Sequence, residues 1–217
     1  LVITSASSTY GTYYAEILRN EGLNQFAVTF ADSNTSPITS GMLAPYDVII
    51  LAPMAVSAAE VTTLTDWVSE GGNLIAMRPD PQLAGLLGLT STGSTLSEGY
   101  LLVDTSRSPG NGIVGETIQF HGTADRYTLS GASNLATLYT TATTATSHPA
   151  VTLRSVGANG GQAAAFAYDL ATSIVYTRQG NPAWATQERD GYAPIRSDDK
   201  FYGAAAADPQ PDWVDMN

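Results

Sequence analysis

Two short apolar runs, Asp47 to Leu51 and Asn73 to Met77, flank a segment whose apolar residues recur at helical spacing. Neither run alternates polar with apolar positions, so each reads as a strand buried on both faces, as in a parallel sheet. Together they make a βαβ unit. Ser57 and Glu60 are spaced as a capping box at the start of its helix, and Gly71-Gly72 ends it, because glycine tolerates the positive φ of a helix terminus. Along the helix Val61, Leu64, Thr65 and Val68 form one face with Trp67 at its edge, and Glu60, Thr63, Asp66 and Glu70 are expected to point outward.

The same reading extends to both sides. Leu1 to Thr4 is a buried strand, followed by a helix from about Thr12 to Asn20 that Gly22 ends, and Phe26 to Phe30 is a second strand. A short helix, Gln82 to Leu87, follows the βαβ unit. From Leu89 the chain turns to Thr, Ser and Gly, with strands expected at Tyr100 to Asp104, Thr117 to His121 and Leu135 to Tyr139. Val151 to Val156 and Gln162 to Tyr168 read as a hairpin returning to the core, and a helical segment follows from Leu170 to Tyr176. The expected architecture is α/β: a three-layer, flavodoxin-like, doubly wound and mostly parallel sheet over residues 1 to 175, with a strand-rich second half. A polar and aromatic extension, residues 176 to 217, would pack on it or on a neighbouring domain.

Composition narrows the chemistry. Nine Lys and Arg against twenty Asp and Glu give a net charge of -11, which disfavours nucleic acid and anionic membrane as partners. There is no cysteine, which removes disulfides, thiolate metal sites and cysteine nucleophiles together. No apolar run approaches the roughly 18 residues of a membrane span. Lys occurs once, at Lys200, while Thr, Ser, Ala and Gly abound. That composition resembles secreted bacterial proteins, so an extracellular or cell-surface location is expected. The chain begins on a strand without Met and reads as a domain whose targeting sequence and neighbours lie outside it.

The loop TSASSTYGTYY leads hydroxyls and a glycine into a helix, as phosphate-binding loops do, although Ser and Thr before a helix also serve as plain caps. The stretch Leu74-Ile75-Ala76-Met77-Arg78-Pro79-Asp80-Pro81-Gln82 resembles the strand that delivers the catalytic cysteine in class I glutamine amidotransferase-like proteins, with Arg78 at the nucleophile position and Asp80 at the elbow glycine. Ile118-Gln119-Phe120-His121 is similar to the family's Q-F-H-P-E, but Gly122 and Thr123 replace Pro and Glu. Ala124 to Tyr127 and the frame around the βαβ unit resemble the ThuA-like branch, which keeps the fold without the amidotransferase triad and often occurs in carbohydrate-related proteins. The resemblance covers roughly residues 1 to 175. It implies a domain without amidotransferase chemistry, since a guanidinium stays protonated and cannot attack a carbonyl.

Two sets of residues are candidates for function. Arg78 and Asp80, together with Arg178, Gln179, Asn181, Trp184, Glu188 and Arg189, offer the fork-like donors, amides, acids and aromatic plane of a sugar-binding or partner-binding surface. The segment holding the last six could cover the crevice where Arg78 and Asp80 lie, or it could pair internally with Trp184 as its anchor. The second set, His121, Asp125 and Asp169, would be the acid-base groups of a hydrolase acting on sugars or amides. His148 is expected to be structural. The acids Asp198, Asp199, Asp208, Asp212 and Asp215 lack a calcium-loop spacing, so neither metal nor cofactor is expected. The leading expectation is a non-catalytic module of a larger secreted protein, binding carbohydrate or packing on neighbouring domains. Pure scaffolding would place an apolar patch around Trp184, Phe201, Tyr202 and Trp213.

Overall fold

The computed structural model describes residues 1–189, 191 and 193–201. In chain order the first half forms β1 (Val2–Thr4), α1 (Tyr13–Asn20), β2 (Val28–Phe30), α2 (Ser40–Leu43), β3 (Val48–Leu51), α3 (Ala58–Ser69) and β4 (Asn73–Met77). A 3-10 turn, Pro81–Leu83, then runs into α4 (Ala84–Leu87). The second half forms β5 (Leu89–Ser97), β6 (Tyr100–Val103), β7 (Ile118–Gln119), β8 (Thr123–Leu129), β9 (Ser133–Thr141), β10 (Thr144–Val156), β11 (Gly161–Phe166) and α5 (Leu170–Gln179).

Nine strands make one sheet in the order β2-β1-β3-β4-β11-β10-β9-β6-β7, and β5 and β8 pair as a separate ribbon. The strands from β2 to β11 run parallel, and those from β10 to β7 continue antiparallel. Successive residues of the central strands enter opposite cores, as a pleated strand requires. Ile3, Ile49, Leu51, Leu74 and Ala76 pack with Leu43, Leu64, Val68 and Leu87 from α2, α3 and α4. Val2, Ile50, Ile75 and Met77 pack with Tyr14 and Ala171 from α1 and α5. A further cluster, including Leu101, Leu138 and Tyr168, extends the second core under the antiparallel half and shares Phe166 and Leu170 with it. The result is a layered α/β domain with a large mixed sheet.

The βαβ unit matches its sequence pattern, capping box included. Glu60 differs from expectation. It is 1% exposed rather than outward, and its carboxylate accepts hydrogen bonds from the Ser57 N–H and hydroxyl, the Ile38 N–H and the Ser33 hydroxyl. A first-turn carboxylate that closes a capping box is turned back toward the chain before the helix, and here that chain is the α2 approach. The ribbon strands β5 and β8 were not expected either. Leu89–Ser97 is almost wholly exposed and shows no apolar period, so only backbone pairing makes it a strand. Helix α5 continues past Tyr176 to Gln179, so the boundary expected at residue 175 falls inside a helix.

Burial raises the Glu60 pKa, but the bonds from Ser33, Ser57 and Ile38 outweigh it and hold the carboxyl below its ordinary value of 4.5. A depressed folded-state pKa contributes stability that is present above the unfolded value and lost as pH falls through the folded one. Acid titration followed by thermal denaturation should therefore show the melting midpoint falling below about pH 4.5. Glu60→Gln should cost about 2 kcal/mol at neutral pH and flatten that acid limb.

Candidate functional site

The carboxyl ends of β1, β3, β4 and β11 lie along one edge of the sheet, where open α/β sheets hold their ligands. Beyond β4 the chain turns sharply at Arg78, whose φ is +38°. A side chain there costs roughly 1 kcal/mol, because Cβ crowds the carbonyl. Neighbours hold the turn in place. The Arg78 N–H donates to the Phe166 carbonyl at 2.8 Å, and the buried Tyr127 hydroxyl donates to the Pro79 carbonyl at 3.2 Å. Asp80 caps the following turn, accepting from the Gln82 N–H at 2.9 Å and from the Val56 N–H at 3.2 Å. It thereby ties the loop after β3 to the loop after β4.

The Arg78 guanidinium grips Asp125 with two bonds, Nε to Oδ2 at 3.1 Å and Nη2 to Oδ1 at 3.3 Å. The side chains are 38% and 24% exposed, so solvent screens the pair and its contribution is about 1 kcal/mol. Asp169 is the N-cap of α5, accepting from the Ala171 N–H at 3.1 Å, from the Thr172 hydroxyl at 2.6 Å and from the Tyr14 hydroxyl. Burial, and then the Asp169 charge, raise the Tyr14 hydroxyl well above its ordinary pKa, so it stays a donor. His121 is buried, with Nδ1 2.9 Å from Glu98 Oε2, while Glu98 Oε1 accepts from the Gly122 N–H at 2.7 Å. The His121 N–H donates to the Ser173 hydroxyl oxygen.

The three acid-base candidates therefore have three different partners: Glu98 for His121, Arg78 for Asp125, and Tyr14 with Thr172 for Asp169. Between His121 and Asp125 the chain turns at Gly122, whose φ is +83°, before β8 begins at Thr123. The partners themselves were not legible as site residues. Glu98 lies at a turn in a Ser/Thr-rich stretch with φ +49°, and Tyr14 lies 155 residues from Asp169.

The ligand-binding set also divides. Helix α5 starts beside Asp169 at the carboxyl edge and runs back along the sheet for about 15 Å. Its end meets the end of α1, where Asn20 and Glu21 lie beside Arg178 and Gln179. Arg178 and Gln179 are thus at the edge opposite Arg78 and Asp80. From Asn181 to Arg189 the groups bind one another. The Arg189 guanidinium stacks 4.1 Å over the Trp184 ring, its Nη1 donates to Gln187, and its N–H donates to Asp199 at 2.6 Å. Asn181 caps the 3-10 turn Pro182–Trp184, and Glu188 accepts from the Gly191 N–H. This is internal pairing around Trp184.

Asp199 also accepts from the Arg196 N–H, and Phe201 is half-buried. Tyr202, Asp208, Asp212, Trp213, Asp215 and the side chain of Asp198 lie outside the described residues. Among the described residues no cluster of three or more His, Asp or Glu could hold a metal, and no helix is long and apolar enough to cross a membrane. His148 lies within β10, with Nδ1 2.9 Å from the Tyr127 carbonyl oxygen.

The left-handed turn makes a testable distinction. Arg78→Ala loses the ion pair and keeps the strain, whereas Arg78→Gly loses the pair and relieves it. Chemical denaturation should show the glycine variant more stable than the alanine variant by about 1 kcal/mol.

No protein-family model and no curated protein matches the chain. Solved structures do. An exo-β-1,4-mannosidase from Opitutaceae bacterium strain TAV5 superposes with a TM-score of 0.52 and 18% identity over 75% of this chain and 26% of that one. A β-galactosidase from Bacillus circulans sp. alkalophilus gives a TM-score of 0.56 and 13% identity over 76% of this chain and 26% of that one. The cytoplasmic protein STM3548 from Salmonella typhimurium gives 0.54 and 15% identity over 86% and 82%. The chain spans about a quarter of the two glycosidases. At these identities the likeness is one of fold, an α/β domain on a large mixed sheet.

Proposed function

We propose that this chain is a glutamine amidotransferase-like domain of the ThuA-like branch that has no catalytic cysteine and serves as a carbohydrate-related binding or packing module of a larger secreted bacterial protein. Arg78 carries the reading. It occupies, with φ +38°, the sharp turn that leaves β4, which is the backbone of a nucleophile elbow bearing a guanidinium instead of a nucleophile. The run β2-β1-β3-β4-β11 supports a flavodoxin-like parallel half, whose strand order is 2-1-3-4-5. Resemblance in fold to a quarter of a mannosidase and of a β-galactosidase supports a modular, sugar-related setting. A hydrolase built on His121, Asp125 and Asp169 is the rival, and the separate partners of those three groups weigh against it.

The full chain should release no ammonia from glutamine and cleave no aryl glycoside. Oligosaccharides should raise its melting midpoint by binding the native state, and Arg78→Ala should remove that shift. Glycoside turnover abolished by Asp125→Asn or Asp169→Asn would replace this reading with the hydrolase. No shift with any sugar would remove the binding role and leave packing on neighbouring domains.

A further inference from the structure

Helices cover the two halves of the sheet unequally. On the α1 and α5 side, the antiparallel strands beyond α5 are overlaid by the loop after β6, and between that loop, α5 and the sheet lies a cavity of about 450 Å³. One wall is a stripe of α5, namely Leu170, Ser173, Ile174, Thr177 and Arg178, at the i, i+3, i+4, i+7, i+8 spacing of a single helix face. The facing wall is apolar, with Leu101, Val103, Val151 and Phe166. Ile113 and Ile118 also line the cavity and remain 46% and 39% exposed.

Three polar side chains on the lining have no hydrogen-bond or ionic partner among the described residues: the Tyr168 hydroxyl, the Gln119 amide and the Arg178 guanidinium. Tyr168 is the informative one. The residue is 5% exposed and lies on the cavity's lining. A buried hydroxyl without a partner costs on the order of 1–3 kcal/mol, which a ligand's polar atom would recover. Burial also raises its pKa, keeping it a neutral donor.

We propose that this cavity binds a small anionic amphiphile, an elongated apolar body with one carboxylate at Arg178. The body lies along α5, and the cavity's far end presents the Tyr168 hydroxyl to a polar atom. Leu170 to Arg178 spans about 12 Å of helix, which sets the length of the body. A sugar does not suit these walls, since its hydroxyls would face Leu, Ile, Val and Phe without partners. The site is separate from the Arg78 turn and does not depend on the function proposed for it.

Decanoate and uncharged decan-1-ol are the matched probes, titrated calorimetrically into the full chain, with displacement of anilinonaphthalene sulfonate as a second readout. Decanoate should bind saturably at one site and displace the dye. Arg178→Ala should weaken decanoate about tenfold and change decan-1-ol by less than about twofold. Ile174→Trp, which fills the cavity from the helix side, should abolish both while its circular dichroism stays native, and Val103→Trp repeats the test from the sheet side. Absence of saturable binding, equal loss of both probes in Arg178→Ala, or binding that survives cavity filling in a folded variant would overturn the proposal. So would a dimer in sedimentation that Ile113→Asp dissociates, which would assign the cavity to contact between two copies.

Discussion

The sheet depends on one seam, the parallel pairing of β11 with β4. On its other side β11 pairs antiparallel with β10, so the same strand joins the two halves of the sheet. The partners are nearly ninety residues apart in sequence, a separation whose closure entropy grows only slowly with length. The seam is built for close approach. Ala163 and Ala165 leave room for the helices that pack on that face, and a Cβ added at Gly161 would lie 1.8 Å from the Val68 carbonyl oxygen at the end of α3. Gly157, with φ +68° in the preceding turn, meets the Ser69 carbonyl in the same way. The end of α3 therefore rests directly on the backbone leading into the seam.

The seam also places the polar groups at the carboxyl edge. The Phe166 carbonyl at the end of β11 holds the Arg78 N–H, and the next carbonyl, Ala167, holds the Asp125 N–H at 2.8 Å. One strand end thus sets both halves of the ion pair, and two residues later Asp169 begins α5. The strain at Arg78 persists because backbone bonds on one side and the Tyr127 and Asp80 contacts on the other determine the turn. At this edge the charged side chains bind one another or cap elements.

How much of this was legible depends on whether a contact leaves a local trace. The βαβ unit did, because strands buried on both faces must be apolar throughout and a helix between them must show its period; β3, α3 and β4 follow that pattern. Leu89–Ser97 left none, since an exposed ribbon strand is specified by backbone pairing with β8 and not by its side chains. The first half of β10 is similar, starting at Thr144 well before the apolar run at Val151. At the site, Arg78 is marked by its position in the resemblance, but its partner Asp125 lies 47 residues away, a separation that leaves no local trace.

The uneven covering of the sheet follows from its topology. Parallel neighbours require crossover connections, and these supply helices to both faces; antiparallel neighbours are joined by short turns and supply none. Adding β10, β9, β6 and β7 to the parallel half therefore widened the apolar surface without adding crossover helices, and among the described residues α5 is the last helix beside it. Among the described residues, Pro109, Gly110 and Ile113 of the loop after β6 lie over that face beside α5. A loop must direct its backbone polar groups to water or to partners, so it cannot cover an apolar sheet as densely as a helix face does. A cavity beside α5 is the natural outcome of that mismatch. What topology does not require is the Tyr168 hydroxyl and, at the other end of the α5 stripe, the Arg178 guanidinium on its lining, neither with a partner among the described residues, and these give the cavity its chemical character.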